Sequence, residues 1–488
     1  MRLISSVKGC MGPNVYPDVP NGGWGWVVAV AFFFVEVFTY GFIRSFGIFR
    51  EEIMAEFNES SNRVMWVIPI CVFTMGFTAP LSTVLSNRFG FRPTVMVGGL
   101  LMSLGTISSS FTRSINEMYI TLGIVSGLGY CLTFLPTITI LSQYFSRTRY
   151  TAISVASLGE CIFPFALANV YNIHHVDEIG WRDCMVVIGV LQVSVIGCGA
   201  LLCPIVLKPR QAAGDSSSSV DTSFQPLSAS RTNLNNAQQE APSQASPDKK
   251  CLTEEEKEQQ ACLKKQEDNE GQETVIVESS GPTTAISPAS TKLLDFMVLC
   301  DGSFICYSLF GLFATLGTSL RFYITLLYYS QDMGMAALIL GPLYFTICLS
   351  EIVGRLSGGC LVDCVPFRKI NVLLLCMVLL TVVSVFVLCA GMFLWALSGF
   401  TFLGYLLGAV CSMHIPMLAE VDRLGIKRMP SAVGIYACIQ SFGVLAVPLL
   451  WGEEDTKILP FACVGMGLGA LFLGLVHPVS LCQGKRKE

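Results

Sequence analysis

Apolar runs long enough to cross ~30 Å of hydrocarbon as helices fall near 25–45, 64–86, 93–111, 117–141, 150–172 and 183–207, and again near 303–329, 334–361, 370–391, 393–418, 431–451 and 457–481 of this 488-residue chain. That succession leaves little choice of architecture. Inside a bilayer only helices or a closed barrel satisfy their own backbone groups, and runs of this length are helices. The sequence therefore predicts an all-α polytopic membrane protein of about twelve transmembrane helices in two six-helix halves. Composition agrees, with 52% hydrophobic and only 14% charged residues. The net charge of −4 supplies no basic surface and excludes nucleic acid as a partner.

Five segments follow: an N-terminus over 1–24, helical bundles over 25–207 and 303–481, a connecting loop over 208–302, and a tail over 482–488. The loop is rich in Ser, Gln, Glu and Lys and is predicted to be disordered, because it cannot bury enough apolar surface to offset its chain entropy. The N-terminus lacks the apolar core of a signal peptide, so the first span is expected to direct insertion. Lys and Arg concentrate in alternate short loops, at Arg88 and Arg92, Arg147 and Arg149, Arg368 and Lys369, and Arg423, Lys427 and Arg428. By the positive-inside rule both termini and the long loop are cytosolic. Asn58-Glu59-Ser60 is then an outward-facing glycosylation sequon. The 20 cysteines are mostly single and lack metal-ligand spacing, so they read as small buried hydrophobes, and Cys203 and Cys482 near helix ends are read the same way in preference to palmitoylation.

The halves repeat one another. A basic turn after the second span of each half is followed 59 residues later by another, from Arg88 to Arg147 and from Arg368 to Lys427. Parallel six-helix repeats around a midplane site are the architecture of major facilitator transporters.

Ionisable residues within the spans are few: Glu36 and Arg44 on the first, Glu160 on the fifth, Arg321 on the seventh, and Glu351 with Arg355 on the eighth. Charges at that depth are costly and mark substrate or proton pathways. Glu351 and Arg355, four residues apart, share a helix face and can pair, and Glu36, Tyr40 and Arg44 recur at the same spacing on span one. For Arg44 and Arg321 the alternative is a side chain that snorkels to the membrane edge. Glu160 is equally readable as a structural pair, and His414 as a hydrogen-bonded interior histidine outside the site. A buried arginine suits a carboxylate because its fork donates two parallel hydrogen bonds. A neighbouring glutamate cancels that charge or, once protonated, releases it. The inventory thus predicts an anion site at Arg44, Arg355, Tyr40 and Arg321, with Glu351 and Glu36 coupling it to protons.

Three stretches resemble the monocarboxylate transporter family: Asn21-Gly22-Gly23-Trp24-Gly25-Trp26 at the first span, Tyr144-Phe145-Ser146-Arg147-Thr148-Arg149-Tyr150 before the fifth, and the acid and arginine at Glu351 and Arg355. The resemblance implies a plasma-membrane carrier of short monocarboxylates such as lactate, pyruvate or ketone bodies, often escorted by a single-span immunoglobulin-like glycoprotein. It also implies Arg44 and Arg355 as substrate-engaging cations, Glu351 as proton acceptor, and Arg147 and Arg149 as a basic cytosolic gate. The chain departs from the family pattern at Asn21 for an acid, Thr148 within the basic cluster, Arg44 for lysine, Glu351 for aspartate, and Arg321 in a seventh span without the expected proline pattern. No cofactor, metal or enzyme motif is present, and nothing resembles a nucleophile with its base. The alternatives are a sensor or scaffold keeping the carrier fold, or a carrier of another small organic anion without proton coupling.

Overall fold

The computed structural model describes residues 14–16, 19–174, 180–207, 294–331, 336–366, 368–389, 393–421, 425–450 and 458–485. One compact unit joins Met1–Arg210 to Thr291–Glu488. The other, Gln211–Ser290, lies outside the described residues, as does the predicted disorder of the loop up to residue 293.

The first half runs through α1 (Trp24–Phe57), α2 (Ser61–Phe77 continued by Ala79–Phe89), α3 (Phe91–Ser109), α4 (Ile115–Tyr144), α5 (Arg149–Ala156 continued by Gly159–His174) and α6 (Trp181–Leu201). The second runs through α7 (Gly302–Gln331), α8 (Ala336–Cys364), α9 (Lys369–Cys389), α10 (Phe393–Met413), α11 (Gly425–Leu450) and α12 (Ile458–Lys485). Among the described residues nine helices are singly long and apolar enough to cross a membrane, and α2, bent by 44°, makes ten. The bend falls where Pro80 lacks an N–H for the helical ladder. Helix α3 is less apolar because Thr94, Ser103, Thr106 and Ser109 are buried on its inner face. The described residues depart from the all-helical expectation in one parallel strand pair, β1 (Asn14–Tyr16) with β2 (Ile205–Leu207).

Large apolar side chains stand exposed along α3 (Val97, Leu100, Leu104) and α9 (Leu375, Val382, Phe386). On a water-soluble chain so much exposed apolar surface would mark association. On a multi-pass membrane protein it is the lipid-facing surface.

At the end carrying the basic turns, Thr83 Oγ1 donates to the Pro430 carbonyl at 3.3 Å and ties α2 to α11. Thr151 donates to Asp363 Oδ2 from both its N–H (2.8 Å) and its hydroxyl (2.7 Å), tying α5 to α8. Nearer the middle, Gly76 on α2 leaves room for Ala437 and Ser441 of α11. Within the second half, a Cβ on Gly354 would collide with the Tyr405 carbonyl, and one on Gly408 with the Glu351 carbonyl. This close approach of α8 to α10 fixes where Glu351 and Arg355 stand. Gly408→Val is therefore expected to push the Glu351 turn off α10 at a cost of about 1–3 kcal/mol. The melting temperature of the purified protein in detergent should fall accordingly, and an unchanged melting temperature would show that α8 and α10 tolerate a wider separation here.

Candidate functional site

Arg44 owes its position to an irregular stretch of α1. A π-helical turn, Val37–Gly41, and a 3₁₀ turn, Phe46–Phe49, bracket the single α turn Phe42–Ser45 that carries it. Such insertions re-aim side chains and recur at functional sites. Helices α1 and α5 meet closely because a Cβ on Gly41 would press on Phe163, and one on Gly159 on the Phe33 carbonyl and Val37. Glu160 follows directly, in the first turn after α5 breaks at Ser157 and Leu158.

Four charged side chains close into a ring. Arg44 Nε contacts Glu160 Oε1 at 2.8 Å, and Arg44 Nη1 donates to both oxygens of Glu351 at 2.9 and 2.8 Å. Arg355 Nη2 donates to Glu160 Oε2 at 2.5 Å and to Glu351 Oε1 at 3.1 Å, while its Nη1 donates at 3.3 Å to the Ser157 carbonyl, which at the break in α5 also accepts the Glu160 N–H at 3.3 Å. Acid and base alternate, and each half supplies one of each. The contacts Arg44 to Glu351 and Arg355 to Glu160 cross between the halves. Two acids and two bases sum to zero. Burying such a set costs several kcal/mol per ion in desolvation, so its presence argues for use more than for stability.

The ring borders a cavity of about 280 Å³ lined by Glu36, Tyr40, Arg44, Glu160 and Arg355. Glu351, 4% exposed, stands behind this wall. The lining mixes apolar side chains, among them Ile68, Val72, Phe134 and Ile138, with the polar ones of His414, Tyr436, Ser441 and Gln440, whose amide donates to Thr315 Oγ1 at 2.7 Å. Three buried polar atoms of cavity-lining residues, Glu36 Oε2, Arg50 Nε and Arg355 Nε, have no hydrogen-bond partner among the described residues. Tyr40 packs edge-on against Phe134, with ring centroids 5.1 Å apart.

The geometry alters several sequence expectations. Arg355 pairs with Glu160 of the other half as well as with Glu351, so the expected two-residue pair is half of a larger set. Glu160, weighed as a local structural pair, belongs at its centre. The missed signal was an acid directly after a Gly on an otherwise apolar span. His414, placed outside the site, lines the cavity. Arg44 does not snorkel to a membrane edge. Arg321 lies on α7, but its side chain is outside the described residues, as are Arg423, Lys427 and Arg428.

Of the two arginines expected at a cytosolic gate, Arg147 is exposed, and Arg149 is buried with its Nε donating to the Phe145 carbonyl of its own half. Their neighbours make the contacts across the halves. Tyr150 reaches Met417 Sδ at 3.6 Å and lies under Lys369 Nζ at 4.9 Å, and Thr151 holds Asp363. Thr151 lies in the first turn of α5, where backbone N–H groups lack helical partners, so Asp363 supplies from the opposite half what a capping residue would. Asp363→Ala removes hydrogen bonds to a charged acceptor worth about 1.5–3 kcal/mol. With a reporter Ser154→Cys, at a position 0% exposed, maleimide labelling in that background is expected to quicken about tenfold to a hundredfold. An unchanged labelling rate would show that this contact does not hold the end shut.

Asn21 lacks the charge of the family's acid but keeps its acceptor. Its Oδ1 accepts from the backbone N–H groups of Ser146 (2.7 Å) and Arg147 (3.0 Å), a role an amide oxygen fills as a carboxylate would. Its own N–H donates to the Tyr144 carbonyl at 3.1 Å, so the first motif docks on the second.

The chain matches the Major Facilitator Superfamily model over residues 32–448. It is 42% identical over 495 residues to "Monocarboxylate transporter 7" of Homo sapiens, covering 98% of this chain and 91% of that protein. It is 26% identical over 481 residues to "Monocarboxylate transporter 4" of Rattus norvegicus, covering 96% of this chain and 86% of that one. Among solved structures it is similar to the human organic anion transporter MFSD10 (TETRAN), with a TM-score of 0.61 and 12% identity over 93% of this chain and 100% of that chain. It is also similar to the proton:xylose symporter XylE, with a TM-score of 0.59 and 12% identity over 93% of this chain and 95% of that chain. At such identities these two structures bear on the fold alone.

Proposed function

The chain belongs to the monocarboxylate transporters of the major facilitator superfamily, and from that premise we propose that it carries short monocarboxylates of lactate, pyruvate or ketone-body type across the plasma membrane together with a proton. It is a carrier and not an enzyme. One observation supports this reading above the rest: a guanidinium from each half converges on the same two carboxylates at the wall of a cavity. An anion that engages Arg44 and Arg355 must displace a carboxylate from the ring, so binding changes the contacts between the halves. That is the requirement of alternating access, in which a fixed central site is exposed to each side in turn. Tyr40 lines the same cavity, and Arg321 is retained as a substrate contact from the sequence. A proton taken up by a carboxyl of the site keeps the loaded site neutral; Glu351 and Glu36, named from the sequence, are joined there by Glu160. Both termini are cytosolic in this reading, Arg147 and Arg149 flank the cytosolic closure, and an immunoglobulin-like single-span glycoprotein escorts the carrier to the surface.

The test is uptake of labelled lactate, pyruvate and 3-hydroxybutyrate in cells without endogenous carriers, with and without an inward proton gradient and a co-expressed escort. Gradient-stimulated uptake of at least one acid is the expected result. If none of the three moves under any condition, the substrate class is wrong.

A further inference from the structure

We propose that Glu160 on α5 is the residue that takes the transported proton, and that the substrate carboxylate replaces the Glu160 carboxylate between Arg44 and Arg355. The inference rests on the anion-carrier reading and names the proton site within it.

Three acids compete for the role, and their contacts separate them. Glu351 is bound on both oxygens by Arg44 and again by Arg355, and it stands behind the cavity wall. Glu36 lines the cavity but forms no ion pair among the described residues, so protonating it would release no arginine. Glu160 lines the cavity and spends one oxygen on each guanidinium, Oε1 on Arg44 Nε and Oε2 on Arg355 Nη2. It is the ring acid that water or substrate can reach, and its protonation loosens both arginines at once.

The exchange is chemically matched. A substrate carboxylate also presents two oxygens, so it can span the two donors that Glu160 spans. A proton from the water of the open side adds to a Glu160 oxygen, the carboxyl swings from the ring, and the anion enters. The ring then holds two guanidiniums, the Glu351 carboxylate and the substrate carboxylate, and its charge stays at zero. On the far side the anion leaves, Glu160 gives up the proton to water, and its carboxylate closes the ring again. One proton crosses per anion. The charged and titratable groups facing Glu160 are Glu36, Tyr40 and Arg44 of α1, Glu351 and Arg355 of α8, Cys411 of α10 with His414 just beyond it, and the adjoining Cys161. Of these acids, only Glu351 shares both arginines with Glu160 among the described residues.

The experiment measures labelled-acid uptake and intracellular acidification together, normalised to surface protein, for the wild type, Glu160→Gln and Glu351→Gln. A gradient of one pH unit can drive accumulation up to about tenfold. The wild type should show that stimulation, with acidification accompanying uptake. Glu160→Gln should still equilibrate the anion, with no stimulation and no acidification. Glu351→Gln should lose uptake at every pH, because once Glu160 is protonated and swings from the ring no protein carboxylate remains to hold Arg44 and Arg355 in place. Stimulated, acidifying uptake by Glu160→Gln overturns the inference and leaves the carrier reading intact, whereas wild-type uptake indifferent to the gradient overturns both the inference and the proton coupling of the proposed function and leaves only anion carriage standing. Failure of the wild type to move any monocarboxylate overturns the carrier reading itself. Should Glu160→Gln not reach the surface, Glu160→Asp replaces it: the shorter carboxyl cannot span both guanidiniums, so a pH profile displaced from wild type is expected and an identical one overturns the inference.

Discussion

Arg355→Gln should abolish monocarboxylate uptake while part of the protein still reaches the surface. Arg355 is 1% exposed and makes three hydrogen bonds, to Glu160, Glu351 and the Ser157 carbonyl. Removing one partner of a buried, hydrogen-bonded charge pair costs about 2–5 kcal/mol, which corresponds to a loss of thirtyfold or more in anion affinity. The electrostatic consequence adds to the missing contact. Without Arg355 the ring keeps two carboxylates against the single guanidinium of Arg44, so the cavity wall turns negative and repels the anion it is built to receive. Arg355→Lys should fail almost as completely, because an ammonium on a flexible stem cannot bridge two carboxylates and a carbonyl in one plane as the guanidinium fork does. The measurement is initial uptake rate divided by surface-biotinylated protein. Retention of half the wild-type rate by either variant would remove Arg355 from the site.

What the sequence disclosed follows from what has only local causes. The apolar runs were legible because the bilayer imposes their length on each helix separately, and the Glu351 and Arg355 pairing because four residues on one helix fix a shared face. Arg44 was legible as a costly charge, but its destination was not. That depends on the π turn at Val37–Gly41, which gives no periodic signal, and on a contact between helices more than a hundred residues apart in sequence, allowed by Gly41 and Gly159. Glu160 was obscured for the same reason: its partners lie on α1 and α8, and nothing within its own segment marks them. His414 was judged from its local sequence, whereas its place in the cavity wall follows from how α10 ends beside α11. At Asn21 the sequence shows the departure from the family's acid, while the structure adds that the amide oxygen still serves as acceptor for two backbone N–H groups.

Exchanging the charges of one ion pair ordinarily restores it, and the ring predicts that here the exchange fails. In Arg44→Glu with Glu351→Arg, an isolated pair would simply be reversed. In the ring the new guanidinium at position 351 lies one helical turn from Arg355, and the new carboxylate at position 44 faces Glu160, so two bases and two acids become neighbours. Like charges juxtaposed in this way cost several kcal/mol. The doubly exchanged protein should therefore be no more stable, and no more abundant at the surface, than either single variant. The neutral double variant Arg44→Gln with Glu351→Gln should behave differently, since it leaves Arg355 with Glu160 as a balanced pair. Its melting temperature in detergent should recover most of what each single substitution loses, although uptake stays low with one guanidinium missing. The contrast between the two doubles decides whether the four residues act as one unit. Recovery by the charge exchange would show Arg44 and Glu351 to be an independent bridge, and the anion would then have no shared carboxylate to displace.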